Sequence, residues 1–115
     1  MKIRFQGDAD LNPEIGRGLR RREPVIDFRN AAGVIPDGTL DPEVLEIAAE
    51  ASRVLVTRDV ATMAGHFALF VKRHQSPGLL LIPSRRSIGA VIEGLLIVWL
   101  TWSGEDMRNR LRWLP

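Results

Sequence analysis

Two short runs in this chain, Val54-Leu55-Val56 and Leu79-Leu80-Leu81-Ile82, contain no polar residue. A half-solvated strand alternates apolar and polar residues. A strand that is apolar at every position has to be covered on both faces, which is the condition of a strand inside a mostly parallel sheet. Segments with a helical period of apolar residues lie between and around these runs. The resulting order β-α-β-α-β-α-β-α-β predicts an α/β fold: a three-layer α/β/α sandwich with a mostly parallel sheet of about five strands. A length of 115 residues predicts a single domain over residues 1–115.

The segments follow from local chemistry. Residues 2–6 alternate polar and apolar and read as a first strand, although a central parallel strand should be apolar throughout. Asn12-Pro13 places an N-cap before a proline at the first helical position, where its missing N–H costs nothing. Arg20-Arg21-Arg22 close that helix, complementing its carbonyl end and otherwise lying in solvent. Residues 25–28 read as a second strand and residues 30–40, rich in Gly, Pro and Asp, as a loop. Asp41-Pro42-Glu43 repeats the cap-then-proline pattern. A helix is expected over 60–72, with Met63, Phe67 and Phe70 on one side and His66 half-buried beside them. Residues 110–113 alternate like an edge strand.

The segment 87–102 is the most apolar. It is too short to span a membrane and contains Glu93, so no membrane association is expected. Ile88, Ile92, Leu95, Trp99 and Trp102 line one face. Val91, Leu96 and Val98 on another side exceed what one sheet contact uses, which predicts a partner surface, including a homodimer through the 87–102 helix.

There are no cysteines, which excludes disulfides and thiolate chemistry and fits a reducing, cytoplasmic setting. No charged-then-apolar leader opens the chain, so no secretory signal is expected. The net charge is only +2, but the sequence pI is about 9.9, because nearly all the cations are arginine. So small an excess points only weakly to nucleic acid.

Carboxylates recur where strands end. Asp8 and Asp10 follow the first strand, Asp59 follows the third, and Asp41 opens the helix before the third. If the first and third strands are neighbours, Asp8 and Asp59 emerge side by side. Clustered carboxylates repel unless a cation joins them, and hard oxygen ligands suit Mg²⁺ or Mn²⁺. Asp41 and Asp59 are also good helix caps, and Asp10 a good loop carboxylate bonding nearby N–H groups. Asp8 has no such local role. Arg58, Arg85 and Arg86 lie at the same sheet edge and are candidate contacts for the phosphates of a nucleic acid.

With these residues in view, the chain resembles the PIN-like nuclease superfamily, and within it the short PIN-like proteins of bacterial toxin–antitoxin-type gene pairs. The matching stretches are Asp8-Ala9-Asp10-Leu11, Asp41-Pro42-Glu43-Val44-Leu45, Arg53-Val54-Leu55-Val56-Thr57-Arg58-Asp59 and the Ser76-Pro77-Gly78 turn. The resemblance implies a metal-dependent ribonuclease, the toxin component of such a pair, with RNA as substrate and a small antitoxin protein as partner. It implies Asp8 as lead ligand to Mg²⁺ or Mn²⁺, Asp59 as second, Asp41 as a further ligand, and Thr57 orienting water or Asp59. Asp10 would stand in for the Glu that relatives usually carry where this chain has Ala9. Ala61 stands where relatives often carry another acid, so the acid set is thinned.

Two rivals follow. A catalytically degenerate PIN-like protein-binding module would keep the acids only as structure. A phosphatase of the haloacid-dehalogenase type would use Asp8 as nucleophile and Asp10 as acid, but a paired-acid motif late in the chain is missing.

Overall fold

The computed structural model describes residues 2–115. Along the chain run β1 (Phe5–Gly7), α1 (Pro13–Arg22), β2 (Phe28–Arg29), α2 (Asp41–Glu50), β3 (Val54–Thr57), α3 (Val60–Phe70), β4 (Leu79–Leu81), α4 (Ile88–Thr101), α5 (Gly104–Met107) and β5 (Leu111–Trp113). The strands form one five-stranded sheet in the order β2-β1-β3-β4-β5, and each neighbouring pair is parallel. The alternation of side chains along each strand sorts them onto two cores. Phe5, Phe28, Val54, Val56 and Leu80 pack beneath α1 and α4. Leu55, Leu79 and Leu81 pack beneath α2 and α3 with Val44, Met63 and Phe67. The result is an α/β/α sandwich of doubly wound, Rossmann-like type.

Helix starts follow the capping chemistry in part. The Asn12 side chain accepts from the Glu14 N–H and Pro13 opens α1, while the Ser87 side chain accepts from the Ala90 N–H ahead of α4. At α2 the expectation fails. Leu40 is the N-cap, without a side-chain bond, and Asp41 is the first helical residue. Its carboxylate is thereby released from capping. The short α5 has a reciprocal Ser103–Asp106 capping box, an element too brief for apolar periodicity to mark. Before β4, Gly78 takes a φ of +126°, and a Cβ there would lie 2.4 Å from the Met107 carbonyl oxygen. Only glycine allows that turn to close on α5.

The crossovers have a consistent pattern with one exception. The step from β1 to β2 moves one way across the sheet with α1 on one face, and the steps to β3 and β4 move the other way with α2 and α3 on the opposite face. These three therefore share one hand. The step from β4 to β5 continues in the second direction, yet α4 lies on the α1 face. It has the opposite hand, an exception to the usual rule for parallel connections. Its apolar surface covers the part of the sheet that α1 alone leaves open.

Several boundaries move. The first strand starts at Phe5 rather than residue 2, and the second is Phe28–Arg29 rather than 25–28. Residue Gln6, on a central strand, is fully buried. The inner face of α4 is Val91, Gly94, Leu95 and Val98, not the stripe beginning at Ile88. Ile92, Trp99 and Trp102 are only partly buried against this core, and Ile97 and Leu100 form the outer side. Arg20 and Arg22 do more than complement a dipole: Arg20 donates to the Phe28 carbonyl and Arg22 pairs with Glu93 of α4. Among the described residues, no helix is long and apolar enough to cross a membrane.

Candidate acidic site at the sheet edge

In a doubly wound sheet, a crevice opens where neighbouring strands send their chains to opposite sides, at the carboxyl ends of those strands. Here that point lies between β1 and β3, which are neighbours with Gly7 opposite Val56. One residue further, Asp8 comes opposite Thr57. The Asp8 N–H donates to the Val56 carbonyl at 3.0 Å, and Thr57 Oγ1 donates to Asp8 Oδ2 at 2.7 Å. Asp8 Oδ1 accepts from the Ala9 N–H at 2.7 Å.

Asp8 is only 7% exposed. Burial pushes its carboxyl above the ordinary value of 3.8, the Thr57 and Ala9 hydrogen bonds oppose this, and the charges of Asp10 and Asp41 push the same way as burial. Those two acids are therefore within electrostatic reach of Asp8. Thr57 is buried as well, and its hydroxyl has a second role, accepting from the Asp59 N–H at 3.0 Å. A single hydroxyl so fixes both the Asp8 carboxylate and the turn into α3.

Asp59 does not stand beside Asp8 as a free carboxylate. It is the N-cap of α3, with Oδ1 accepting from the Thr62 N–H at 3.3 Å. Thr62 Oγ1 lies 2.5 Å from Asp59 Oδ2 and 3.0 Å from Asp41 Oδ2. A hydroxyl has one proton to donate, so it serves one of these carboxylates at a time. His66 Nε2 lies 3.9 Å from Asp41 Oδ2, with its side chain part-exposed. Thr62, which had no expected role, and His66, expected only to pack beside Met63, Phe67 and Phe70, thus both belong to this edge. The signal was available: Thr62 is three residues after a candidate cap, and His66 is one helical turn further.

The remaining candidates divide. Asp10 is exposed in a turn. Arg58 Nη2 donates to the Arg86 carbonyl at 3.1 Å, and Arg86 Nη1 donates to the carbonyls of Leu114 at 3.4 Å and Pro115 at 2.6 Å. These two arginines tie the loops after β3 and β4 to the end of the chain. Arg85 is exposed and has a φ of +67°.

Whether this donor set fits Mg²⁺ or Mn²⁺ is a question of convergence. Asp41 and Asp59 meet at Thr62, and Asp8 is held separately by Thr57. Among the described residues, no three His, Cys, Asp or Glu side chains group closely enough to hold a metal ion. As arranged, the residues do not fit a resident divalent ion. Two surface clefts, of about 380 and 530 Å³, lie away from this edge, the first at the ends of α2 and α3 and the second around Lys2, Arg4 and Arg108.

The fold and this edge define a class, a doubly wound α/β/α domain with threonine-bound carboxylates at its switch point. Compared with known proteins, the chain matches no family model, no curated protein and no solved structure.

Proposed function

We propose that the chain is a PIN-like domain that works as a protein-binding module, with an acidic edge thinned below what metal-dependent cleavage requires. One observation carries this reading: most of the groups assigned to the site already serve the fold. Asp8 is bonded to Thr57 and Ala9, Asp59 caps α3, and Arg58 and Arg86 hold backbone carbonyls. Ala9 and Ala61 leave the set without the acids that PIN-like proteins usually carry at the first position and often at the second.

The binding surface is the outer side of α4, where Ile97 is 46% and Leu100 62% exposed. It suits an apolar face of a small partner protein, such as the antitoxin of a two-gene pair in the cytoplasm. The test is to establish whether a small gene lies beside the one encoding this chain, co-express its product with the chain, and compare Leu100→Glu with the parent. Loss of the complex with an unchanged melting temperature supports the module. A complex indifferent to Leu100→Glu together with Ile97→Glu removes it.

A second reading, a Mg²⁺- or Mn²⁺-dependent ribonuclease of the toxin type, is favoured by one specific observation. Asp41 and Asp59 converge on a hydroxyl with a single proton, a crowding of carboxylates that a divalent cation relieves. RNA cleavage by purified protein that disappears in Asp8→Asn would establish it. Cleavage surviving Asp8→Asn with Asp59→Asn would assign the activity to a contaminant.

A further inference from the structure

Below Asp8, the α2/α3 side of the sheet carries a polar stripe that none of the assigned roles uses. Register places Phe5 opposite Phe28 and Val54, and Gln6 opposite Arg29 and Leu55. Arg4, Asp27 and Arg53 therefore form one row across three neighbouring chain segments, Gln6 and Arg29 belong to the next row, and Asp8 and Thr57 to the one above. Successive rows on one face are two residues apart, roughly 7 Å.

The hydrogen bonds agree with this placement. Arg53 Nη1 donates to Asp27 Oδ1 at 2.7 Å and to the Phe5 carbonyl at 3.0 Å, and Arg4 Nε donates to Asp27 Oδ2 at 3.1 Å. Arg29 Nε donates to Gln6 Oε1. The stripe thus holds three guanidiniums and one carboxylate. A device that only stapled the strands would need Asp27 and Arg53, whose side chain is 9% exposed.

Arg29 adds charge with no acid of its own. Burial, then the charges of Arg53 and Arg4, hold its guanidinium below the ordinary value, and Asp27 alone opposes them. Its two terminal amino groups have no hydrogen-bond partner among the described residues, and the side chain is only half-buried. Arg53 Nε, in the row beneath, is buried with no hydrogen-bond partner among the described residues. Arg29, whose amino groups are free and which lies in the field of the Arg4 and Arg53 charges, matches an oxyanion with several acceptor oxygens.

We propose that Arg29, with Arg4 and Arg53 beside it, forms a binding subsite for a phosphate-type oxyanion on the α2/α3 face of β1 and β2. The ligand is a phosphate group, free or within a polynucleotide backbone. This assignment is independent of the protein-binding reading.

The experiment is thermal melting of the full chain against inorganic phosphate, with chloride holding ionic strength constant. The parent, Arg29→Gln, Arg29→Lys and the surface control Arg21→Gln are compared. The expected result is a saturable rise in Tm for the parent and Arg21→Gln, with the apparent Kd weakened about tenfold in Arg29→Gln. Arg29→Lys, which keeps the charge but not the planar fork, should fall between. If Arg29→Gln does not fold, the Arg29 Nε–H NMR resonance of the parent should still shift saturably with phosphate. A short RNA that competes with phosphate identifies the backbone source; phosphate binding untouched by RNA identifies a free phosphate ligand. An unsaturable response in the parent, or an Arg29→Gln response equal to the parent's, overturns the assignment.

Discussion

Asp8 and Thr57 face each other across neighbouring parallel strands, joined by a 2.7 Å hydrogen bond from the threonine hydroxyl to the carboxylate. The same hydroxyl accepts from the Asp59 N–H, so the ends of β1 and β3 and the start of α3 share one atom. Thr57→Val keeps the shape and removes both bonds. It should destabilise the protein by about 1–3 kcal/mol, measured by urea unfolding, because a buried carboxylate loses one of its two donors and the Asp59 N–H its acceptor. An unchanged midpoint would mean that the hydroxyl is not structural.

Asp8→Asn should act in the opposite direction. The folded state holds the Asp8 proton to higher pH than the unfolded chain, because burial raises its carboxyl above 3.8. Stability therefore falls as pH rises from the unfolded value through the folded one, and above the folded value the cost of the buried charge is fully present. At pH 7 the amide should gain on the order of 1 kcal/mol, with the gain shrinking toward zero as both forms of Asp8 become protonated. Melting curves from pH 3 to 8 on both proteins check this. A gain that persists undiminished in acid contradicts it.

Asp27 supplies the contrary sign. The hydrogen bond from Arg53, helped by that from Arg4 and opposed by burial, holds its carboxyl below 3.8. The stability it provides is present above that value and lost as pH falls through the folded one. Asp27→Asn leaves the buried Arg53 guanidinium without its counter-charge, but Asp27 is itself 48% exposed and solvent screens the pair, so the cost near neutrality should be about 1 kcal/mol. The difference between the two proteins should close in acid, read by urea unfolding at pH 7 and pH 3.

Gly78→Ala tests the turn before β4. With φ at +126° and the Met107 carbonyl oxygen 2.4 Å from the position of a Cβ, the added methyl meets both backbone strain and backbone contact. A loss of about 3 kcal/mol or more is expected in denaturant unfolding. A loss below about 1 kcal/mol would show that α5 can move away at little cost.

The parts legible in the sequence were those where one physical demand dominated. Val54–Val56 and Leu79–Leu81 had to be strands covered on both faces, and Asn12 had to be a cap. The adjacency of the first and third strands put Asp8 at the edge where it is found. What was hidden depended on distant partners. The alternation of the first strand sat badly with a central place in the sheet because Gln6 is polar, yet Gln6 is satisfied from β2 by Arg29, as Asp8 just beyond it is from β3 by Thr57. Val25-Ile26-Asp27-Phe28 has strand-like composition, but its pairing with β1 is confined to Phe28 and Arg29. In α4, apolar residues occur nearly all round, so periodicity could not select the inward face. Asp59 was placed beside Asp8, and its turn into the α3 cap swings it instead toward Thr62 and Asp41.

If the acidic edge is a structural latch and not an assembled metal centre, divalent ions should leave the protein unaffected. Titration with Mn²⁺, followed by calorimetry and by melting temperature, tests it most directly in the parent and in Asp8→Asn. The expected result is no saturable heat and no saturable rise in Tm in either protein. A saturable stabilisation of the parent that vanishes in Asp8→Asn would contradict the claim and make the ribonuclease reading the better one.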